Sequence, residues 1–159
     1  MRSKTLPRPL GHNSIIALVL SRIMRAVGQK HTKPEMTVRR TLHALGYRFR
    51  VQRRDLPGSP DIVLPKYKTA IFVHGCFWHR HPGCKKATMP KTRVPFWTEK
   101  FERNVVRDGE KEASLRGMGW QVLVVWECET KDATALAATL SSALSYDEGD
   151  LPISSAGRE

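Results

Sequence analysis

Apolar and polar positions along this chain follow two periods. Between residues 13 and 27, Ile16, Val19, Leu20, Ile23 and Val27 recur at helical spacing, which predicts an amphipathic helix capped by Asn13 or Ser14. A second helix opens with Thr32-Lys33-Pro34-Glu35 in a capping-box arrangement, carries Val38, Leu42 and Leu45 on one face, and stops at Gly46. The period then shortens to two. Tyr47 to Gln52 alternates as a strand, residues 56–60 (LPGSP) form a loop, and Asp61 to Leu64 starts a strand closed by Pro65. Tyr67 to His74 is a third strand whose apolar run, Ala70 to Val73, predicts burial. Pro95 begins a long helix with Trp97, Phe101, Val105 and Leu115 on one stripe, ending near Gly117 and Gly119. Trp120 to Trp126 is a fourth strand, wholly apolar from Val122 to Val125, and an alanine-rich helix with Leu136, Leu140 and Leu144 follows Asp132.

That order predicts an α/β fold, a mixed central sheet flanked by helices. The length of 159 residues suits one domain with one core. Pro7, Pro9 and Gly11 among basic residues mark 1–12 as a flexible arm, 13–146 forms the single domain, and the acidic, serine-containing stretch 147–159 is a disordered tail. Architecture alone says nothing about function.

Charge narrows the partners. Lys and Arg total 27 against 15 Asp and Glu, a net charge of +12, which favours a polyanion. A protein kept soluble by its charge, or one touching anionic membrane, would show the same excess. Neither explains the aromatic residues Phe77, Trp78, Phe96 and Trp97 set among Arg80, Lys85, Lys86, Lys91 and Arg93, so nucleic acid leads. The early apolar run Ile15 to Leu20 is too short to span a bilayer and lacks a cleavage pattern. The expectation is a cytoplasmic protein with reduced thiols and no membrane contact.

Residues 72–84 (FVHGCFWHRHPGC) hold three of the six histidines and two of the three cysteines, directly after the apolar run. Cys76, His81 and Cys84 lie within nine residues, and Cys128 follows the last predicted strand. Three thiolates and one imidazole make the closed tetrahedral set of a structural zinc site, which would tie the loop to the sheet and leave no position for substrate. The alternative is that the cysteines are small buried residues and His81 is solvated.

The stretch from Ser21 to Glu129 resembles the very-short-patch-repair mismatch endonucleases, a branch of the restriction-endonuclease-like nucleases. The matching residues are Met24-Arg25-Ala26-Val27, Phe49-Arg50-Val51-Gln52, Leu56-Pro57-Gly58 with Pro60-Asp61, His74-Gly75-Cys76-Phe77-Trp78-His79, Asn104-Val105 with Arg107-Asp108, and Val125-Trp126-Glu127-Cys128. They cover about two thirds of the chain, and the run His74 to His79 followed by Trp-Glu-Cys is the specific part. The second strand departs from the wider superfamily, reading Phe72-Val73-His74 where an acid and a lysine are usual.

The resemblance implies a restriction-endonuclease-like sheet and a Mg(II)-dependent enzyme that nicks DNA beside the thymine of a T:G mismatch, the product of 5-methylcytosine deamination. It implies that Asp61 and the Val73 backbone carbonyl bind Mg(II), that His79 is the general base, that His74 is a second catalytic histidine, and that Glu35 supports the site. Glu35 is equally accounted for by the capping box of Thr32. Phe77, Trp78 and Trp97 resemble an aromatic wedge entering the base stack, and Met24 a minor-groove element. For Trp97 and Met24 a core position explains the spacing as well, whereas adjacent Phe77 and Trp78 on an extended loop would not both turn inward. Lys100, Asn104 and Asp108 recur every four residues, as a solvated helix face would, and the match at Asn104 and Asp108 suggests that part of this face meets DNA. The implied setting is a monomer in the bacterial cytoplasm, associated with the nucleoid and with mismatch-repair machinery.

Three other readings compete: an endonuclease cutting matched or modified DNA with the same site, a His-Me finger nuclease in which Asp61 is dispensable, and a zinc-stabilised DNA-binding module without catalysis.

Overall fold

The computed structural model of the protein describes residues 31–145. The basic arm, the helix expected over 13–27 with Met24, and the tail 147–159 lie outside the described residues. The described elements are three α-helices, α1 (Lys33–Ala44), α2 (Val94–Gly117) and α3 (Ala133–Leu144), and four strands, β1 (Arg50–Val51), β2 (Ile62–Leu64), β3 (Thr69–His74) and β4 (Gln121–Trp126). The strands form one mixed sheet in the order β1-β2-β3-β4, antiparallel except for the parallel β3–β4 pair, which is joined through α2.

Side-chain alternation splits the sheet into two apolar faces. Ile62, Leu64, Ile71 and Val125 pack with Val38 and Leu42 of α1 and with Leu136, Leu140 and Leu144 of α3. Val63, Ala70 and Phe72 point the other way and pack with Leu56 and with Leu115 of α2. Asp61 and His74 continue the odd and even registers of this second face, toward α2.

The helix ends follow their sequence signals. After α1, Tyr47 N–H donates to the Leu42 carbonyl and Gly46 N–H to that of His43, with Gly46 at φ 82°, and after α2 the same double bond recurs from Trp120 to Leu115 and from Gly119 to Arg116. The Asp132 carboxylate caps α3, accepting from the N–H groups of Thr134 and Ala135 at 3.0 Å.

Three expectations are corrected. Leu45 is 39% exposed, because α1 ends at Ala44 and Leu45 falls in the turn beyond it. The strand expected over Tyr47 to Gln52 shrinks to Arg50–Val51, both exposed at the sheet edge. Val105 is exposed while Asp108 takes its inward place; three residues at about 100° each put them roughly 60° apart around the helix. Within β4, Val125 is buried while Leu123 on the same face and Val122 on the other are partly covered.

Candidate active site

The antiparallel register of β2 and β3 brings Asp61, just ahead of β2, beside the end of β3, where its Oδ2 accepts the Val73 N–H at 2.8 Å. Burial raises the proton affinity of Asp61, reinforced by the charge of Glu35 and opposed by the Val73 bond, Arg39 and His79. Glu35 and Arg39 stand one turn apart in α1, nearly buried, with their charged atoms 3.1 Å apart.

His74 ends β3 and is buried. After Gly75 the chain turns tightly through residues 76–80, closed by the bond from His79 N–H to the Gly75 carbonyl at 3.1 Å. The turn folds His79 back onto His74, so that the rings stack at 4.0 Å and 7°. His79 Nδ1 lies 2.5 Å from Oδ2 of buried Asp108, and Lys111 Nζ is 3.7 Å from the other carboxylate oxygen. Burial alone would raise the Asp108 pKa, but the bond and charge of His79, with His74 and Lys111, hold it below the usual value. Burial, then the charge of His79, push His74 down to about 4, which leaves it neutral at neutral pH. A carboxylate on Nδ1 fixes the His79 tautomer with the proton on that nitrogen, leaving the Nε2 lone pair to accept a proton. The ligating atoms of His74, His79 and Asp108 all lie within 4.8 Å of one another.

Immediately beyond, Cys76, His81, Cys84 and Cys128 present four ligand atoms within the same limit. His81 Nδ1 is 3.7 Å from Cys76 Sγ and 3.3 Å from Cys128 Sγ. A tetrahedral ion with S and N bonds of about 2.3 and 2.05 Å requires S···N separations of about 3.5 Å. The donor set and its spacing therefore fit a four-coordinate metal. Burial lifts the Cys76 thiol to about 12, and the Lys86 backbone N–H chiefly lowers that of Cys84. A Lys86–Glu127 ion pair at 2.5 Å joins the loop to the end of β4 beside Cys128.

On the other side of the turn, Phe77 and Trp78 meet Trp97 and Phe101 of α2. Phe77 lies 4.9 Å from Trp78, 5.9 Å from Trp97 and 5.2 Å from Phe101, centroid to centroid. The expected extended loop is instead a compact turn, which puts both aromatics on the same side, half-buried. Trp97 is only 7% exposed. Lys100 Nζ sits within 6 Å of the Trp78, Phe96 and Trp97 rings, and Asn104 donates to the Trp78 carbonyl at 3.1 Å. The residues expected on one helix face thus divide their work. Lys100 and Asn104 brace the aromatic turn, while Asp108 reaches the histidines.

Sequence reasoning passed over Trp126 and the pairings of Asp108. Trp126 stacks on His81 at 4.3 Å and meets His74 edge-on at 5.5 Å, so one ring orients a histidine of each cluster. Its place between Val125 and Cys128 was the available signal. The His79–Asp108 pairing spans 29 residues, and only the chain's fold brings the two together.

A buried acid at a strand junction, a carboxylate-backed histidine and a basic, aromatic-rich flank are the equipment of a phosphodiester-cleaving enzyme. The profile of the family described as "DNA mismatch endonuclease Vsr" matches residues 19–86. The type II nicking enzyme V.XorIIP of Xanthomonas oryzae pv. oryzae is 52% identical over 122 residues, 77% of this chain and 89% of that one. The DNA mismatch endonuclease Vsr of Escherichia coli K12 is 45% identical over 108 residues, 68% of this chain and 69% of its own length. The type II nicking enzyme V.NmeAIP of Neisseria meningitidis is 46% identical over 110 residues, covering 69% and 78%. The chain belongs to the Vsr family of DNA endonucleases. That membership sets aside the non-catalytic binding module. Among the described residues, no helix is long and apolar enough to cross a membrane.

Proposed function

We propose that this protein is a Mg(II)-dependent endonuclease that nicks double-stranded DNA beside the thymine of a T:G mismatch and so initiates short-patch repair. The observation that carries this reading is the convergence of Asp61, His74, His79 and Asp108 at one end of β3, next to an aromatic turn.

The residues at the junction suit a hard divalent cation: a buried carboxylate at Asp61, with the Val73 carbonyl as a second oxygen donor. A Mg(II) ion held by these two oxygens would supply positive charge to the phosphate. His79 accepts the proton of the attacking water at Nε2, and Asp108 stabilises the imidazolium that results. Neutral His74, stacked beneath, keeps the His79 ring in place and offers an N–H to the phosphate. Glu35, paired with Arg39, adds negative charge near Asp61 and supports the cation there.

Phe77 and Trp78 are the wedge, backed by the nearly buried ring of Trp97 and braced by Lys100 and Asn104. Unstacking a step costs a few kcal/mol and is cheapest where pairing is already imperfect, so insertion itself favours a mismatch. Cys76, His81, Cys84 and Cys128 hold a structural Zn(II) that fixes the turn bearing His79 and the wedge; the matching S···N distances support it. The enzyme acts as a monomer in the bacterial cytoplasm at the nucleoid, alongside mismatch-repair machinery.

The test is nicking of a T:G duplex across a Mg(II) titration by wild type and Asp61→Asn. This reading expects the variant to lose at least a thousandfold in rate at every Mg(II) concentration with its melting temperature maintained, because a buried carboxylate without its cation is itself costly. Wild-type nicking by the variant would overturn it.

A further inference from the structure

Among the described residues, the side-chain nitrogen of Gln52 is a buried polar atom with no partner, on the strand end beside Asp61. Gln52 follows the last residue of β1, and the antiparallel register that pairs Arg50 with Val63 and Val51 with Ile62 carries it to the position opposite Asp61. Its side-chain nitrogen is shielded from solvent and has no hydrogen-bond partner among the described residues. Its backbone is left-handed, at φ 52°, a region where a residue with a long side chain is strained by about 1 kcal/mol or more.

Each feature alone disfavours the folded state. A buried N–H donor without an acceptor loses its hydration and gains nothing, and a glycine at this position would carry no φ strain. Such costs concentrate where a ligand completes the arrangement. Here the residue that continues the register opposite Gln52 is Asp61, at the proposed Mg(II) and phosphate position, where a bound substrate would bring an anionic oxygen.

We propose that Gln52 is a substrate-contacting residue whose carboxamide N–H donates to a non-bridging oxygen of the scissile phosphate, orienting it against Asp61. The proposal rests on the reading of Asp61 given above. The strained turn after β1 sets the position of the amide before DNA arrives, and the side chains that shield its nitrogen in the free protein give way to the phosphate as the bond forms. A neutral donor also adds no positive charge that would compete with the cation.

The test uses full-length protein in single-turnover nicking of a duplex that the wild type cuts, with either oxygen of the scissile phosphate replaced by sulfur in separate diastereomers. Gln52→Met removes the donor at similar volume, and Gln52→Gly removes it while relieving the backbone. We expect both variants to melt at or above the wild-type temperature and to nick about 10- to 100-fold more slowly, the range for a hydrogen bond to a charged group. Sulfur weakens this acceptor in the wild type, so the rate penalty for one diastereomer should shrink in both variants while that for the other stays. A purely structural Gln52 would instead lower the melting temperature and leave both sulfur penalties unchanged, which overturns the proposal. Asp61-dependent nicking with both Gln52 variants within threefold of wild type overturns it alone. Wild-type nicking by Asp61→Asn overturns the Asp61 reading, and this proposal with it.

Discussion

Asp108→Asn separates the charge behind His79 from everything else that Asp108 touches. The side chain keeps its size and stays buried, but the carboxylate 2.5 Å from His79 Nδ1 becomes a neutral amide. If His79 takes a proton from water, the resulting imidazolium faces a negative charge in the wild type and only a dipole in the variant. Two unit charges at about 4 Å in an effective dielectric of about 20 interact by roughly 4 kcal/mol, and an amide oxygen recovers up to about half of that. The remaining 2–4 kcal/mol corresponds to about 30- to 1000-fold in rate. Single-turnover nicking of an end-labelled duplex at saturating enzyme reads the chemical step, and binding measured in Ca(II) shows that DNA affinity is unchanged. A rate within threefold of wild type with unchanged binding would refute the role of His79 as a carboxylate-backed base.

Cys128→Ser removes the ligand most distant in sequence from the others. Metal analysis should fall from about one equivalent of zinc to well below it, with a melting temperature lowered by more than 10 °C, whereas metal-free wild-type protein of unchanged stability would contradict the zinc centre. His74 carries a folded-state pKa depressed to about 4, so the unfolded chain binds its proton more readily and stability must fall as pH drops from about 6.5 toward 4. Urea unfolding in Mg(II)-free buffer should show about 2 kcal/mol lost between pH 7.5 and 5, most of it absent in His74→Gln. Asp132→Ala removes the cap of α3 and should cost about 1 kcal/mol, read from the same unfolding curves, with no change in nicking.

The elements were legible wherever local chemistry decides them. Glycines at 46 and 119 stop α1 and α2 as their φ values require, Asp132 caps α3, and the unbroken apolar run of β3 marks a strand covered on both faces. The grouping of Cys76, His81, Cys84 and Cys128, a set that could hold a metal, could be read from spacing because three of its four members sit within nine residues. Legibility ended where placement depends on tertiary geometry. Asp108 looked like one step of a polar helix face, and its partnership with His79 exists only because the turn after Gly75 folds back over β3. The same turn packs Phe77 and Trp78 side by side against α2, which adjacency on an extended chain would forbid. Val105 misled because an apolar residue near the stripe is indistinguishable in sequence from one within it, while the buried polar residue three positions later breaks the expected pattern.

The central claim is that this endonuclease acts on a mismatch. End-labelled duplexes differing only in a T:G or a C:G pair, in several flanking contexts, should be incubated with the protein in Mg(II) or in EDTA. The account predicts a Mg(II)-dependent nick beside the thymine of the mismatched duplex alone; equal cutting of the matched duplex would contradict it.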